Sequence, residues 1–166
     1  MTWAEATTAG LKRSDIETVA YLPDSVLAPL IEQIEADGSF EMIPVAREEE
    51  AVGVLSGAWF GGRRGALLCQ TSGLANTFNA LGSLSKPDGI PFIGLITRRG
   101  DLSDHNLAQA PAGYAMPRLL DDIGIRNHKL ESEETVSDVV GMAAKTAFQQ
   151  QEPYALFLEP ALTGGK

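Results

Sequence analysis

The residues able to do chemistry are few in this sequence, and most stand without the partners their chemistry needs. Three consecutive carboxylates, Glu48, Glu49 and Glu50, head an apolar run, AVGVLSGAWF. Acids in the first turn of a helix complement its dipole and contribute roughly 0.3–1 kcal/mol each, which accounts for such a triplet without any function. The two histidines, His105 and His128, are far apart and have no Cys or His neighbour at ligand spacing, so a zinc site built from this chain alone is not expected. Ser72 lies in a TSG triplet rather than a GxSxG elbow, and no histidine and acid are spaced to serve it, so a hydrolase triad is unsupported. No GxGxxG follows the first candidate strand, and the terminal TGGK lacks the glycine-rich approach and following helix of a phosphate loop. The single cysteine, Cys69, reads as a buried core residue.

The elements that must position these residues alternate short apolar runs with longer amphipathic ones, the pattern of strand, crossover helix and parallel strand. The expected strands are Thr18–Leu22, Phe40–Pro44, Ala66–Gln70, Phe92–Thr97, Arg126–Leu130 and Tyr154–Glu159. Helices are expected over Asp24–Ala36, with Asp24 or Ser25 capping the first turn, and over Glu48–Phe60, Leu74–Leu84 and Ser132–Gln150. In the second of these the small residues Ala51, Gly57 and Ala58 form a face suited to close packing. Ala66–Gln70 and Phe92–Thr97 show no polar alternation and should be central strands covered on both faces. The longest stretch without periodicity, Arg98–Tyr114, leaves the end of a central strand, where a doubly wound fold places its ligands.

With 166 residues and no linker or repeat, the chain is expected to be one domain spanning residues 1–166. A formal net charge of -9, from 13 Lys+Arg against 22 Asp+Glu, argues against nucleic acid and anionic membranes as partners. The adjacent basic pairs, Arg63-Arg64 and Arg98-Arg99, are not interleaved with aromatics that could stack bases. One cysteine, no secretory leader and no long apolar span fit a cytoplasmic, soluble protein.

Five pieces in order, YLPDSVL at Tyr21–Leu27, REEEAVG at Arg47–Gly53, QTSGLAN at Gln70–Asn76, RGD at Arg99–Asp101 and AQAPAG at Ala108–Gly113, change this picture. The chain resembles the pyrimidine-binding (Pyr-type) domain of thiamine-diphosphate enzymes. More narrowly it resembles the α subunit of sulfopyruvate decarboxylase and the corresponding half of phosphonopyruvate decarboxylase. The fold implied is a three-layer α/β/α sandwich around a mostly parallel six-stranded sheet, the thiamine-diphosphate-binding fold. The activity implied is that of a 2-oxoacid carboxy-lyase, and a non-catalytic scaffold of the same fold is the competing reading. One position departs from the family: Ala75 stands where glycine is usual.

By register the resemblance makes Glu48 the catalytic carboxylate that hydrogen-bonds the aminopyrimidine ring nitrogen of thiamine diphosphate. Glu49 and Glu50, turned about 100° and 200° away on the helix, would point elsewhere. Pro23, Thr71, Ser72, Gly73 and Asn76 are implied to contact the cofactor with Glu48. Asp24, Arg99 and Gln109 are implied to contact a small anionic 2-oxoacid, since a guanidinium suits carboxylate, sulfonate and phosphonate oxygens. Arg98 is balanced between the same role and a plain basic residue, and His105 between proton donation and loop exposure. The sequence has no GDG motif followed by asparagines, so the Mg²⁺ that anchors the diphosphate is expected on a β subunit, and the working enzyme on a heterooligomer of α and β chains. No metal ligand is assigned to this chain.

Overall fold

The computed structural model describes residues 1–102 and 104–164; Ser103 and the Gly165-Lys166 end of the TGGK sequence lie outside the described residues. Six strands form one sheet in the order β2-β1-β3-β4-β6-β5, and every neighbouring pair is parallel. They are β1 (Ile16–Tyr21), β2 (Glu41–Pro44), β3 (Arg64–Gln70), β4 (Ile93–Thr97), β5 (Arg126–Leu130) and β6 (Tyr154–Leu158). Side chains alternate between the two faces of a strand, so β3 gives Ala66 and Leu68 to one core and Leu67 and Cys69 to the other. Burial on both sides explains why β3 and β4 read as unbroken apolar runs, whereas the edge strand β5 is largely exposed.

One layer consists of α1 (Trp3–Arg13), α2 (Ala28–Asp37) and α7 (Glu133–Gln150), which pack Leu11, Leu30, Ile34, Val136 and Val140 on the sheet. The other holds α3 (Glu48–Phe60), the short α4 (Thr71–Ala75) and α6 (Ala110–Asp122), through Val52, Leu55, Leu74, Met116 and Leu120. Each of these apolar side chains removed from water contributes on the order of 1.5–3 kcal/mol. A three-residue turn, α5 (Phe78–Ala80), and a π-helical turn at Leu81–Ser85 lead on towards β4, and α8 (Pro160–Thr163) follows β6.

Several boundaries differ from the sequence reading, each for a local reason. Helix α1 was not expected, yet Thr2 and Glu5 form a reciprocal capping box at its start. Helix α6 begins inside the stretch read as irregular: Pro111 sits in its first turn, where no N–H is needed, and Pro117 is carried in its interior. The helix expected over Leu74–Leu84 is broken into α4, α5 and the π-turn. Neither Asp24 nor Ser25 is the N-cap of α2; that position is Leu27, without a side-chain cap. Gly57 does not line a packing face, for a Cβ there would meet nothing within 4 Å, whereas Ala51 is fully buried.

Strands β1 and β3 are neighbours, but the chain leaves β1 into the α2 layer and β3 into the α4 layer. Connections that part to opposite faces open a crevice between the carboxyl ends of two strands, the usual ligand position in an open α/β sheet.

Candidate active site

The acidic triplet divides at this crevice. Glu49 is exposed and pairs with Arg47 at 3.0 Å, and Glu50 accepts the Ala46 backbone N–H at 2.9 Å, so both serve the start of α3. Glu48, the first residue of α3, is 8% exposed. Its neighbours Ala51, Val52 and Leu55 dock α3 on the sheet, which turns the Glu48 side chain inward. There the carboxyl lies against the Cα of Gly73 in α4: a Cβ on Gly73 would fall 1.9 Å from Glu48 Oε1.

A second buried carboxylate stands close by. Asp24, in the loop after β1, accepts the Val26 N–H at 2.9 Å and the Arg99 guanidinium at 2.6 Å. Its side chain is 7% exposed and that of Arg99 13%, so this ion pair is largely withdrawn from water and weakly screened by salt. Thr97 Oγ1 makes a longer contact to Asp24, 3.4 Å. Cys69, at the end of β3, lies near both acids. Burial pushes its thiol well above the ordinary range, and the charges of Glu48 and Asp24 push it further. A thiol so held is a core group and no nucleophile at neutral pH.

The 98–114 segment closes the far side. The Arg99 backbone N–H donates to Thr71 Oγ1 at 3.2 Å, and Gln109 Nε2 donates to Gln70 Oε1 at 3.0 Å, which ties the segment to the β3–α4 turn. Its base is pinched by two glycines. A Cβ on Gly100 would lie 2.4 Å from Ala110 Cα, and one on Gly113 would lie 1.9 Å from the Arg99 carbonyl oxygen. Arg98 is buried with its guanidinium 5.4 Å above the centre of the Phe157 ring, and its Nη2 bridges Asp101 and the Tyr114 carbonyl. It therefore clamps both ends of the segment. Asp104 accepts the Gly100 and Asn106 N–H groups, which hold its carboxyl below the ordinary carboxylate range. His105, Leu102 and Leu107 are exposed on this segment.

The structure thus gathers Asp24, Glu48, Thr71, Gly73 and Arg99 at one crevice, with Gln109 joined through Gln70. Ser72 Oγ is buried and has no hydrogen-bond partner among the described residues. Pro23 is exposed beside Asp24, and Asn76 is exposed at the far end of α4, outside this cluster of contacts. Ala75 is helical, and its methyl packs on the apolar cluster under α3 and α4. The Asp24–Arg99 pair, Gln70, and the clamping roles of Arg98, Asp101 and Asp104 were not foreseen. Asp24, Gln70, Arg99 and Asp101 nevertheless lie in the pieces YLPDSVL, QTSGLAN and RGD.

The donor set suits a hydrogen-bonding heterocycle. A buried carboxyl without a salt-bridging Lys or Arg among the described residues, and an orphaned serine hydroxyl next to its contact residue Gly73, are both groups that a ring nitrogen or amino group would satisfy. Among the described residues no group of three or more His, Cys, Asp or Glu side chains could hold a metal ion, and no helix is long and apolar enough to cross a membrane.

No family model matches the chain. It is 34% identical over 159 residues to the sulfopyruvate decarboxylase subunit alpha of Methanococcus maripaludis, covering 96% of this chain and 95% of that one. To the subunit of the same name in Methanocaldococcus jannaschii it is 36% identical over 149 residues, covering 90% and 88%. Similarity extends to phosphonopyruvate decarboxylase of Streptomyces viridochromogenes, 37% over 115 residues, 69% of this chain but 28% of that longer protein. In structure the chain matches 2-oxoglutarate:ferredoxin oxidoreductase of Magnetococcus marinus with a TM-score of 0.81 at 14% identity, over 98% of this chain and 29% of that one. That likeness carries the α/β/α fold. The first two matches run along nearly the whole of both chains, and the protein belongs to the sulfopyruvate decarboxylase α-subunit family.

Proposed function

We propose that this chain is the pyrimidine-binding subunit of a thiamine-diphosphate-dependent decarboxylase that converts sulfopyruvate to sulfoacetaldehyde and carbon dioxide. The observation that carries the reading is the division of the acidic triplet. Glu48 alone is drawn into the crevice, seated on Gly73, while its two neighbours are spent on the helix start. When bound, thiamine diphosphate supplies the carbon nucleophile and the electron sink for loss of carbon dioxide. Glu48 would hold and exchange a proton at the aminopyrimidine ring nitrogen, with Thr71, Ser72 and Gly73 around the ring. Asp24 fixes Arg99 through Nη2, and the rest of the guanidinium, including an Nε without an acceptor among the described residues, would be left to meet a substrate oxygen. Gln109 would add a neutral donor from the same segment.

The Mg²⁺ and diphosphate site belongs, on this reading, to a β subunit, because the sequence carries no GDG motif. The relatives' naming as subunit alpha supports a second chain. The assembled enzyme would work in the cytoplasm as a heterooligomer. Phosphonopyruvate is the second candidate substrate, supported by the 37% identity to a phosphonopyruvate decarboxylase.

Co-expression with the β subunit, followed by assays of carbon dioxide release from sulfopyruvate, phosphonopyruvate and pyruvate, tests the assignment. The complex should turn over sulfopyruvate with the highest kcat/KM, and the isolated α chain should release none. A complex inert on all three acids, or tight Mg²⁺-dependent binding of thiamine diphosphate by the α chain alone, would refute this division of labour.

A further inference from the structure

We infer that Gly73 is a positioning residue for Glu48: the absence of a side chain at that one place sets where the catalytic carboxyl stands. This rests on the reading of Glu48 just given. A Cβ built on Gly73 would lie 1.9 Å from Oε1, 2.3 Å from Cδ and 2.8 Å from Cγ of Glu48. The three nearest atoms are one carboxylate oxygen, the carboxyl carbon and the methylene before it, so the end of the Glu48 side chain fills the place a Cβ on Gly73 would take. Rotation of the terminal carboxyl would not clear a methyl group, and the side chain would have to withdraw.

Neither backbone is free to move apart instead. Helix α3 is docked through Ala51, Val52 and Leu55, all at most 1% exposed. Helix α4 is held at one end by Thr71 Oγ1, which accepts the Arg99 N–H, and at the other by buried Leu74. The contrast within α3 is informative. Gly53 and Gly57, on the same helix as Glu48, have nothing within 4 Å of a hypothetical Cβ. Close approach of α3 to a glycine is confined to its buried face, at Glu48 on Gly73 and at Leu55 on Gly65. The atom in the way is the end of a flexible side chain, so a methyl at Gly73 should be accommodated by the fold and should displace only Glu48. Alanine is already tolerated two residues on, at Ala75, where the methyl finds the apolar cluster.

The experiment uses the assembled α–β complex loaded with thiamine diphosphate and Mg²⁺. Hydrogen exchange at the thiazolium carbon is followed by rapid quench and NMR in the parent, Gly73→Ala, Glu48→Gln, Gly73→Ala/Glu48→Gln and Gly73→Ala/Glu48→Asp. Gly73→Ala should assemble with nearly the parental Tm, and a crystal structure should show the Glu48 carboxyl moved off residue 73. Its exchange rate should fall on the order of 10²-fold, the scale of a lost acid–base group. Added to Glu48→Gln, it should cause no further loss, and Glu48→Asp, one methylene shorter, should restore part of the rate in the Gly73→Ala background. A purely structural role for Gly73 would lower Tm and leave the exchange of the assembled complex unchanged. Exchange in Gly73→Ala within about threefold of the parent, against a clear loss in Glu48→Gln, would overturn the proposal while leaving the role of Glu48 intact. Parental exchange in Glu48→Gln would instead overturn the assignment of Glu48 and this inference with it. If Gly73→Ala fails to assemble, Gly73→Ala/Glu48→Ala decides: recovered assembly supports the steric contact, and continued failure refutes it.

Discussion

The two sides of the crevice are held by different physics. Glu48 is placed by shape, a carboxyl laid on a glycine between two helices whose backbones are fixed by apolar packing. The 98–114 segment is placed by charge and hydrogen bonds: Arg99 to Asp24, Arg98 to Asp101 and the Tyr114 carbonyl, Asp104 to two backbone N–H groups. A seat made by shape is indifferent to salt and to moderate changes of pH, but one methyl group ruins it. A seat made by charge absorbs small changes of volume, yet it weakens when a carboxylate is protonated or its cation removed. Glu48 thus sits where loss of a counterion cannot displace it, and Arg99 where an ion pair holds it.

The largest effect that would sharpen this contrast is expected at Glu48. In the assembled enzyme Glu48→Gln should lower kcat by about 10²–10⁴-fold, or roughly 3–5 kcal/mol of barrier, with assembly intact. Steady-state decarboxylation read beside Glu49→Gln and Glu50→Gln checks it, because those two exposed acids should change the rate less than about threefold. If Glu49→Gln proved the damaging change, the division of the triplet would be wrong.

On the charge-held side, Arg99→Ala leaves Asp24 buried without its cation, and breaking such a pair costs about 3–5 kcal/mol of stability. The KM for the oxoacid should rise as well. Denaturation of the complex should show the double variant Asp24→Asn/Arg99→Ala losing less stability than Arg99→Ala alone; equal losses would mean the pair is not coupled.

Asp104 gives a smaller, pH-dependent effect. The Gly100 N–H first, and the Asn106 N–H second, lower its folded-state pKa, so its contribution is fully present above the ordinary carboxylate value. That contribution fades as pH falls through the depressed folded value. The protection factors of the Gly100 and Asn106 amides, measured against the intrinsic exchange rate at each pH, should therefore fall in acid, and Asp104→Asn should abolish that pH dependence. Exchange at Glu48 and Gly73 should not follow it.

The smallest effect is expected at Ala75. Restoring glycine there should lower stability by about 0.5–1 kcal/mol, through backbone freedom in a helical residue, and leave decarboxylation unchanged. A faster enzyme would show that the methyl does distort the turn.

How much of this was legible follows from how local each feature is. Helix α3 starts and ends where its acidic head and apolar run place it, and β5 was readable despite its exposure. Helix α1 was legible only through its capping box, Thr2 and Glu5. Helix α6 was hidden by two prolines and a glycine, residues that usually interrupt helices and here do not. The Asp24–Arg99 pair lay beyond sequence reasoning for a topological reason. Asp24 follows β1 and Arg99 follows β4, and the two meet across the end of β3 only because the strand order is β2-β1-β3-β4-β6-β5. The seat of Glu48 on Gly73 depends likewise on an interhelical distance that no spacing encodes, although the TSG turn marked the residue.

The pinch at the base of the 98–114 segment bears on how this surface can diversify. Gly100 and Gly113 press on main-chain atoms, and two side chains of the segment add to their hold, Asp104 on the Gly100 N–H and Gln109 on Gln70. Exposed Leu107 lies outside the clamp. A label carried on the side chain at position 107 should therefore leave Arg99 in place, whereas a change of length there would shift Asp104 or Gln109, on either side of it, off Gly100 or Gln70.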